Sequence, residues 1–188
     1  MSEIIPAILP RDTLDLKEKL SQMPDEIKLV HMDMLEEDIW VSSEWRINKE
    51  FEVHLMVREP ESIIDKWIER GARRIIVHSL GTRTAKLEKI EIGLAVEMYI
   101  PLEEIFPLIP QVDFVHLMSI AHIGAQGHPF EPKIFDRIRT VKEKFPQAVI
   151  SVDGGVNVTN YHELIAAGVD RLVVGSGFKD LWKSLTKN

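Results

Sequence analysis

The chain has 188 residues, of which 45% are hydrophobic, and carries a formal charge of -7. That length predicts a single domain with a full core, and the charge, with no basic run beyond Arg73-Arg74, argues against nucleic acid or an anionic membrane as partner. The absence of cysteine excludes disulfides, thiolate metal sites and a cysteine nucleophile, and fits a reducing, cytoplasmic setting. The first residues lack a basic region followed by a long apolar stretch, so no signal peptide is expected. No apolar run approaches the roughly 20 residues that cross a bilayer.

Taken in order, the chain alternates short apolar runs with helical patterns. Ile4 to Leu9 reads as a first strand, interrupted by Pro6 and stopped at Pro10. Asp12 is placed to cap a helix carrying Leu16, Leu20 and Met23 at helical spacing, and Pro24 follows its end. Lys28 to Leu35 is the second strand and Phe51 to Val57 the third. Pro60 stands where a helix would begin, Ile63, Ile64, Trp67 and Ile68 form its buried stripe, and Gly71 is placed to end it. Further strands are expected at Arg73 to His78, Ile92 to Val96, Val112 to Ser119, Val149 to Asp153 and Arg171 to Val174. Helices are expected around Leu102 to Ile109, Pro132 to Phe145, Thr159 to Ala167 and Phe178 to Leu185. The segments 68–77 and 165–174 look alike: each is a helix end, a stopping glycine and an apolar strand.

Several strands are apolar almost throughout, as parallel strands covered on both faces must be. Eight strands alternating with helices allow a (β/α)8 barrel or a doubly wound sheet. The barrel is expected, with shortened or missing helices after the second and fourth strands, where Glu36 to Glu50 and Ser79 to Glu91 leave little space.

In such a barrel the site lies at the C-terminal ends of the strands. Alternation puts His31 and Asp33 on one face of the second strand. His54 ends the third strand with Met56 on the same side, His78 ends the fourth, and Asp153 ends the seventh. Two histidines and two carboxylates converging there suit Zn²⁺, Fe²⁺ or Mn²⁺, although each histidine taken alone is more often an ordinary hydrogen-bonded strand residue. Gly154-Gly155 and Gly175-Ser176-Gly177 follow the seventh and eighth strands, where backbone amides can meet a phosphate. His116 inside a strand and His162 on a helix are expected to need no functional role, while His122 and His128 flank a glycine-containing loop that could cover a ligand. The four tryptophans are not interleaved with basic residues, so packing accounts for them.

These residues resemble the ribulose-phosphate 3-epimerase family over nearly the whole chain. The resemblance rests on Ile5-Pro6-Ala7-Ile8-Leu9, Val30-His31-Met32-Asp33-Met34 and Val53-His54-Leu55-Met56-Val57 with Glu59-Pro60. It continues through Asp113 to Ser119, Val152-Asp153-Gly154-Gly155-Val156-Asn157 and Val174-Gly175-Ser176. It implies a ribulose-phosphate-binding barrel with one divalent metal ion (Zn, Fe or Mn) held by His31, Asp33, His54 and Asp153. It implies further that Asp33 and Asp153 are the acid/base pair on opposite faces of a sugar phosphate, with Met56 and Met118 against the substrate. Gly154, Gly155, Gly175 and Ser176 would hold the phosphate.

The chain departs from the family pattern beside those residues. Ala7 replaces a first-strand serine, Leu35-Glu36-Glu37 replaces Met-Asp-Gly, and Ala121 to His128 replaces a glycine-rich Pro-Gly-Phe-Gly-Gly-Gln loop. Two readings follow. One is a metal-dependent epimerase acting at C3 of a ketose phosphate, D-ribulose 5-phosphate first. The other is a degenerate, non-catalytic barrel that binds a metal or sugar phosphate as a sensor or assembly partner. Trimmed helices would leave apolar barrel surface bare, so a homo-oligomer is expected.

Overall fold

A computed structural model describes residues 2–35, 47–81 and 90–186. Its strands are β1 (Glu3–Ile8), β2 (Leu29–Met34), β3 (Glu50–Leu55), β4 (Arg74–Val77), β5 (Glu91–Val96), β6 (Phe114–Met118), β7 (Val149–Asp153) and β8 (Arg171–Val174). They close into one barrel in chain order, every neighbouring pair parallel. The expected barrel is therefore the observed one. The thinning expected over residues 36–50 and 79–91 falls mostly on residues 36–46 and 82–89, which lie outside the described residues.

Among the described residues the α-helices are α1 (Thr13–Ser21), α2 (Ile64–Glu69), α3 (Leu102–Ile105), α4 (Ile134–Lys144), α5 (Tyr161–Ala166) and α6 (Phe178–Thr186). Asp12 caps α1 as its spacing predicts, accepting hydrogen bonds from the amides of Leu14 and Asp15 at 2.9 and 2.8 Å. The helix expected over 102–109 ends at Ile105 and gives way to a 3-10 turn at Ile109–Gln111. Pro107 has no amide hydrogen and cannot continue the first helix. The helix expected from Thr159 begins at Tyr161, because the Asn157 side chain accepts from the Thr159 amide and holds that residue in a turn.

Strand alternation divides the molecule into two layers. One parity, including Val30, Met32, Val53, Ile75, Leu117, Val152 and Leu172, faces outward and joins the continuous core under the helices. The opposite parity fills the barrel: Ile76, Ala95 and Phe114 cluster with Val149 against them, and Ile5, Met118 and Val173 are buried on the same parity. The rest of the interior is polar. At the N-terminal end, Arg74 pairs with Glu52 at 2.9 Å, Glu3 at 3.0 Å and Glu91 at 3.4 Å. Arg171 pairs with Glu91 at 2.6 Å and lies over the Phe114 ring. This ionic plug closes the floor on which the histidines stand.

Candidate metal centre

Register sets the site. Asp33 on β2 is directly beside His54 on β3, and Met118 on β6 is beside Asp153 on β7. His31 and His54 are completely buried, and Asp153 is nearly so. Asp33 Oδ1 stands 3.3 Å from His31 Nε2 and 3.2 Å from His54 Nδ1. Asp153 Oδ2 is 3.9 Å from each of those two nitrogens. The four residues expected to form a metal centre therefore do meet, across the mouth of the barrel.

A fifth joins them. His116, expected to need no functional role, is fully buried, with Nε2 3.4 Å from Asp153 Oδ2 and its ring stacked on His31 at 5.5 Å between centroids. His31, His54, His116 and Asp153 each offer a donor atom, all within 4.8 Å of one another. Three imidazoles and a carboxylate suit a borderline divalent ion better than a hard one such as Ca²⁺. The residues present thus fit a divalent metal. The signal for His116 was its parity: it lies two residues before Met118 and so on the same, inward face.

Outer partners orient these rings. His31 Nδ1 is 2.7 Å from Glu52 Oε1, His54 Nε2 is 2.9 Å from His78 Nε2, and His116 Nδ1 is 3.1 Å from Ser151 Oγ. Glu52 and Ser151 went unnoticed in the sequence, where nothing marks an acidic or hydroxyl residue two places before a ligand. His78 reaches the site as His54's partner.

The protonation states differ sharply. Burial opposes charge on Asp33, but hydrogen bonds from His31 and His54 outweigh it and hold the carboxyl well below its ordinary range. Asp153 is pushed up to about 6, by burial first and then by the charge of Asp33. Burial lowers His116 and His78 to about 3 and depresses His54, so these rings are neutral and able to donate a lone pair. His31 goes the other way: burial opposes its charge, yet Asp33 and Glu52 raise it well above the usual imidazole value.

A pH dependence follows. A raised pKa keeps His31 protonated at neutral pH without an ion, so a metal must displace that proton. Zn²⁺ affinity is expected to rise with pH through neutrality, with about one proton released per ion. Calorimetry in two buffers of different ionisation enthalpy measures the release, and binding with no proton release would contradict the assignment.

Above the centre lies a cavity of about 190 Å³. Asp33, Asp153, Met56 and Met118 line it, together with Gly154, Gly155, Gly175 and Ser176. All the residues expected to contact substrate or phosphate thus border one cavity. His128 also lines it, whereas His122 packs against the His128 ring at 6.3 Å. Among the described residues no Lys or Arg reaches this cavity, so an anion there would depend on backbone amides and on the start of α6. Gly155 has φ +65, and a Cβ on it would come within 2.8 Å of the Phe130 backbone. Gly155→Ala is therefore expected to cost about 1–3 kcal/mol and to weaken inorganic phosphate binding, read by urea melts and by calorimetry.

A closed parallel barrel with a histidine–aspartate centre and a glycine-bordered cavity at its C-terminal mouth defines the class of protein. The chain belongs to the ribulose-phosphate 3-epimerase family, matching it over residues 3–179. Ribulose-phosphate 3-epimerase of Eremothecium gossypii is 32% identical over 133 residues, covering 67% of this chain and 55% of that protein. The enzyme of that name from Aquifex aeolicus is 34% identical over 143 residues, covering 70% and 64%. The chain thus matches less than two thirds of the length of these two relatives. The one from Buchnera aphidicola is 27% identical and covers 93% of this chain and 86% of that protein. A solved tryptophan synthase complex of Pyrococcus furiosus contains a chain similar in fold alone, with a TM-score of 0.67 at 14% identity, covering 97% and 90%. Among the described residues no helix is long and apolar enough to cross a membrane.

Proposed function

We propose that the protein epimerises a ketose phosphate at C3, with D-ribulose 5-phosphate and D-xylulose 5-phosphate as its substrate pair. The observation that carries this reading is the pair Asp33 and Asp153, facing one cavity with protonation states driven apart. Two carboxyls so arranged suit removal of a proton from one face of a carbon and its return to the other. Asp33, kept ionised, takes the C3 proton from one epimer; Asp153, more readily protonated, delivers one to the opposite face. The roles exchange in the reverse direction.

His31, His54, Asp33 and Asp153 would hold one Zn²⁺, Fe²⁺ or Mn²⁺. When bound, such an ion supplies positive charge beside the substrate oxygens, where negative charge develops as the C3 proton leaves. Met56 and Met118 present a polarisable apolar wall to the sugar carbons, which excludes water without competing for protons. Gly154, Gly155, Gly175 and Ser176 take the phosphate, anchoring the substrate so that C3 sits between the carboxyls.

Incubation of metal-loaded protein with ribulose 5-phosphate in deuterated water tests the reaction directly. Deuterium at C3 and appearance of the xylulose epimer are expected. No exchange with Zn²⁺, Fe²⁺ or Mn²⁺ would remove the epimerase reading. The non-catalytic barrel would then stand, a reading favoured by Ala7, whose methyl lines the cavity where a hydroxyl would reach substrate.

A further inference from the structure

We propose that His116 is itself a metal ligand, completing with His31, His54 and Asp153 a centre of three imidazoles and one carboxylate. The inference rests on the metal-centre reading above and deepens it. It addresses a chemical conflict in the four-residue set: a carboxylate held firmly by a divalent ion is a poor base, yet Asp33 and Asp153 are asked both to ligate and to move protons. A further imidazole donor relieves the conflict.

The geometry points to His116 in three independent ways. It offers one of the donors that lie within 4.8 Å of one another, a group that includes His31, His54 and Asp153 but not Asp33. Its ring packs against both other imidazoles, stacked on His31 and edge-on to His54 at 5.0 Å, so all three occupy one compact cluster. Its far nitrogen is held by a side-chain partner. Metal-bound imidazoles almost always donate the remaining N–H to such a group, which fixes both tautomer and ring orientation. Here each of the three has one: Glu52 for His31, His78 for His54 and Ser151 for His116. The pairing leaves Nε2 of His31, Nδ1 of His54 and Nε2 of His116 turned toward Asp153.

A packing role is the alternative for His116, and it predicts different behaviour. An imidazole that only fills space can be exchanged for leucine without altering the ion's surroundings. A ligand cannot.

The test uses Co²⁺-loaded protein and proton NMR in water, where imidazole N–H protons on a ligating ring are strongly shifted and disappear in deuterated water. Three exchangeable shifted signals are expected. His116→Leu should lose one of them and bind Co²⁺ roughly 10–100-fold more weakly, at least the loss typical of removing an outer-shell partner. Ser151→Ala, which leaves the donor atom in place, should speed solvent exchange of that one signal and spare the other two. Two signals from wild-type protein holding one Co²⁺ would overturn the assignment of His116 while leaving the metal centre intact. This count needs no variant to fold. Failure of wild-type protein to bind Co²⁺ would overturn both.

Discussion

Asp33→Asn and Asp153→Asn are each expected to slow the proposed epimerisation by about 10²–10⁴-fold, the usual contribution of a positioned acid or base. The two variants should fail differently. If each carboxyl serves one face of C3, Asp33→Asn still allows the hydrogen of one epimer to exchange with deuterium, while the other epimer's is retained. Asp153→Asn should show the mirror pattern. The measurement is C3 exchange from ribulose 5-phosphate and from xylulose 5-phosphate, with bound metal quantified in each variant. Equal loss from both epimers in both variants, with metal still bound, would show that the residues do not divide the faces between them. Asp33 and Asp153 both line the cavity, and both carboxyls reach toward His31 and His54, so the substrate carbon has only a short distance to span.

The second large effect is structural. Glu52→Leu is expected to destabilise the fold by about 3–5 kcal/mol, the cost of leaving buried charge without its partner. Glu52 is 1% exposed and divides its carboxylate between His31 at 2.7 Å and Arg74 at 2.9 Å. A lower urea midpoint with an unchanged slope would report the loss. Adding Arg74→Met should recover part of it, since the cation that has lost its most buried partner then leaves as well. A single variant as stable as wild type would mean that the plug contributes nothing. Burial opposes charge on Glu52, but His31 and Arg74 outweigh it and hold the carboxyl down to about 2. With the folded pKa depressed, its stabilisation is present above the ordinary carboxylate range and is lost as pH falls towards 2. Because Glu52 also orients His31, the variant should loosen metal by roughly 10–100-fold. The plug and the site are thus one polar column.

Much of this was legible in the residue order. The strands announce themselves because the outward faces of β2 to β8 must be apolar to pack under helices, and the helix ends carry Asp12, Gly71 and Gly168 where caps and turns need them. Asp33, His54 and Asp153 stand near strand ends, where polar side chains after apolar runs are conspicuous, and His31 shares the face of Asp33 two residues earlier. Their convergence needed only the barrel rule that strand ends form the site. Helix limits were less legible: Pro107 and the Asn157 turn act locally, and their effect depends on which hydrogen bonds the surroundings supply.

The inside of the barrel was not legible. His116 sits in the middle of an apolar strand, where a core histidine and a ligand read alike. Only the closing of β6 against β7, and the approach of β2 and β3 across the barrel, bring its Nε2 to Asp153 and its ring onto His31. Likewise Arg74 meets Glu3 across 71 positions and Arg171 meets Glu91 across 80. Periodicity assigns each of these residues a face, because a strand's side chains alternate whatever surrounds them. It cannot assign a neighbour across the barrel, because strand order, register and closure are set by the whole chain. The sequence by itself thus determined the barrel, its polar mouth and four of the candidate ligands. The tertiary structure alone brings a third imidazole beside them and sets an ionic floor beneath.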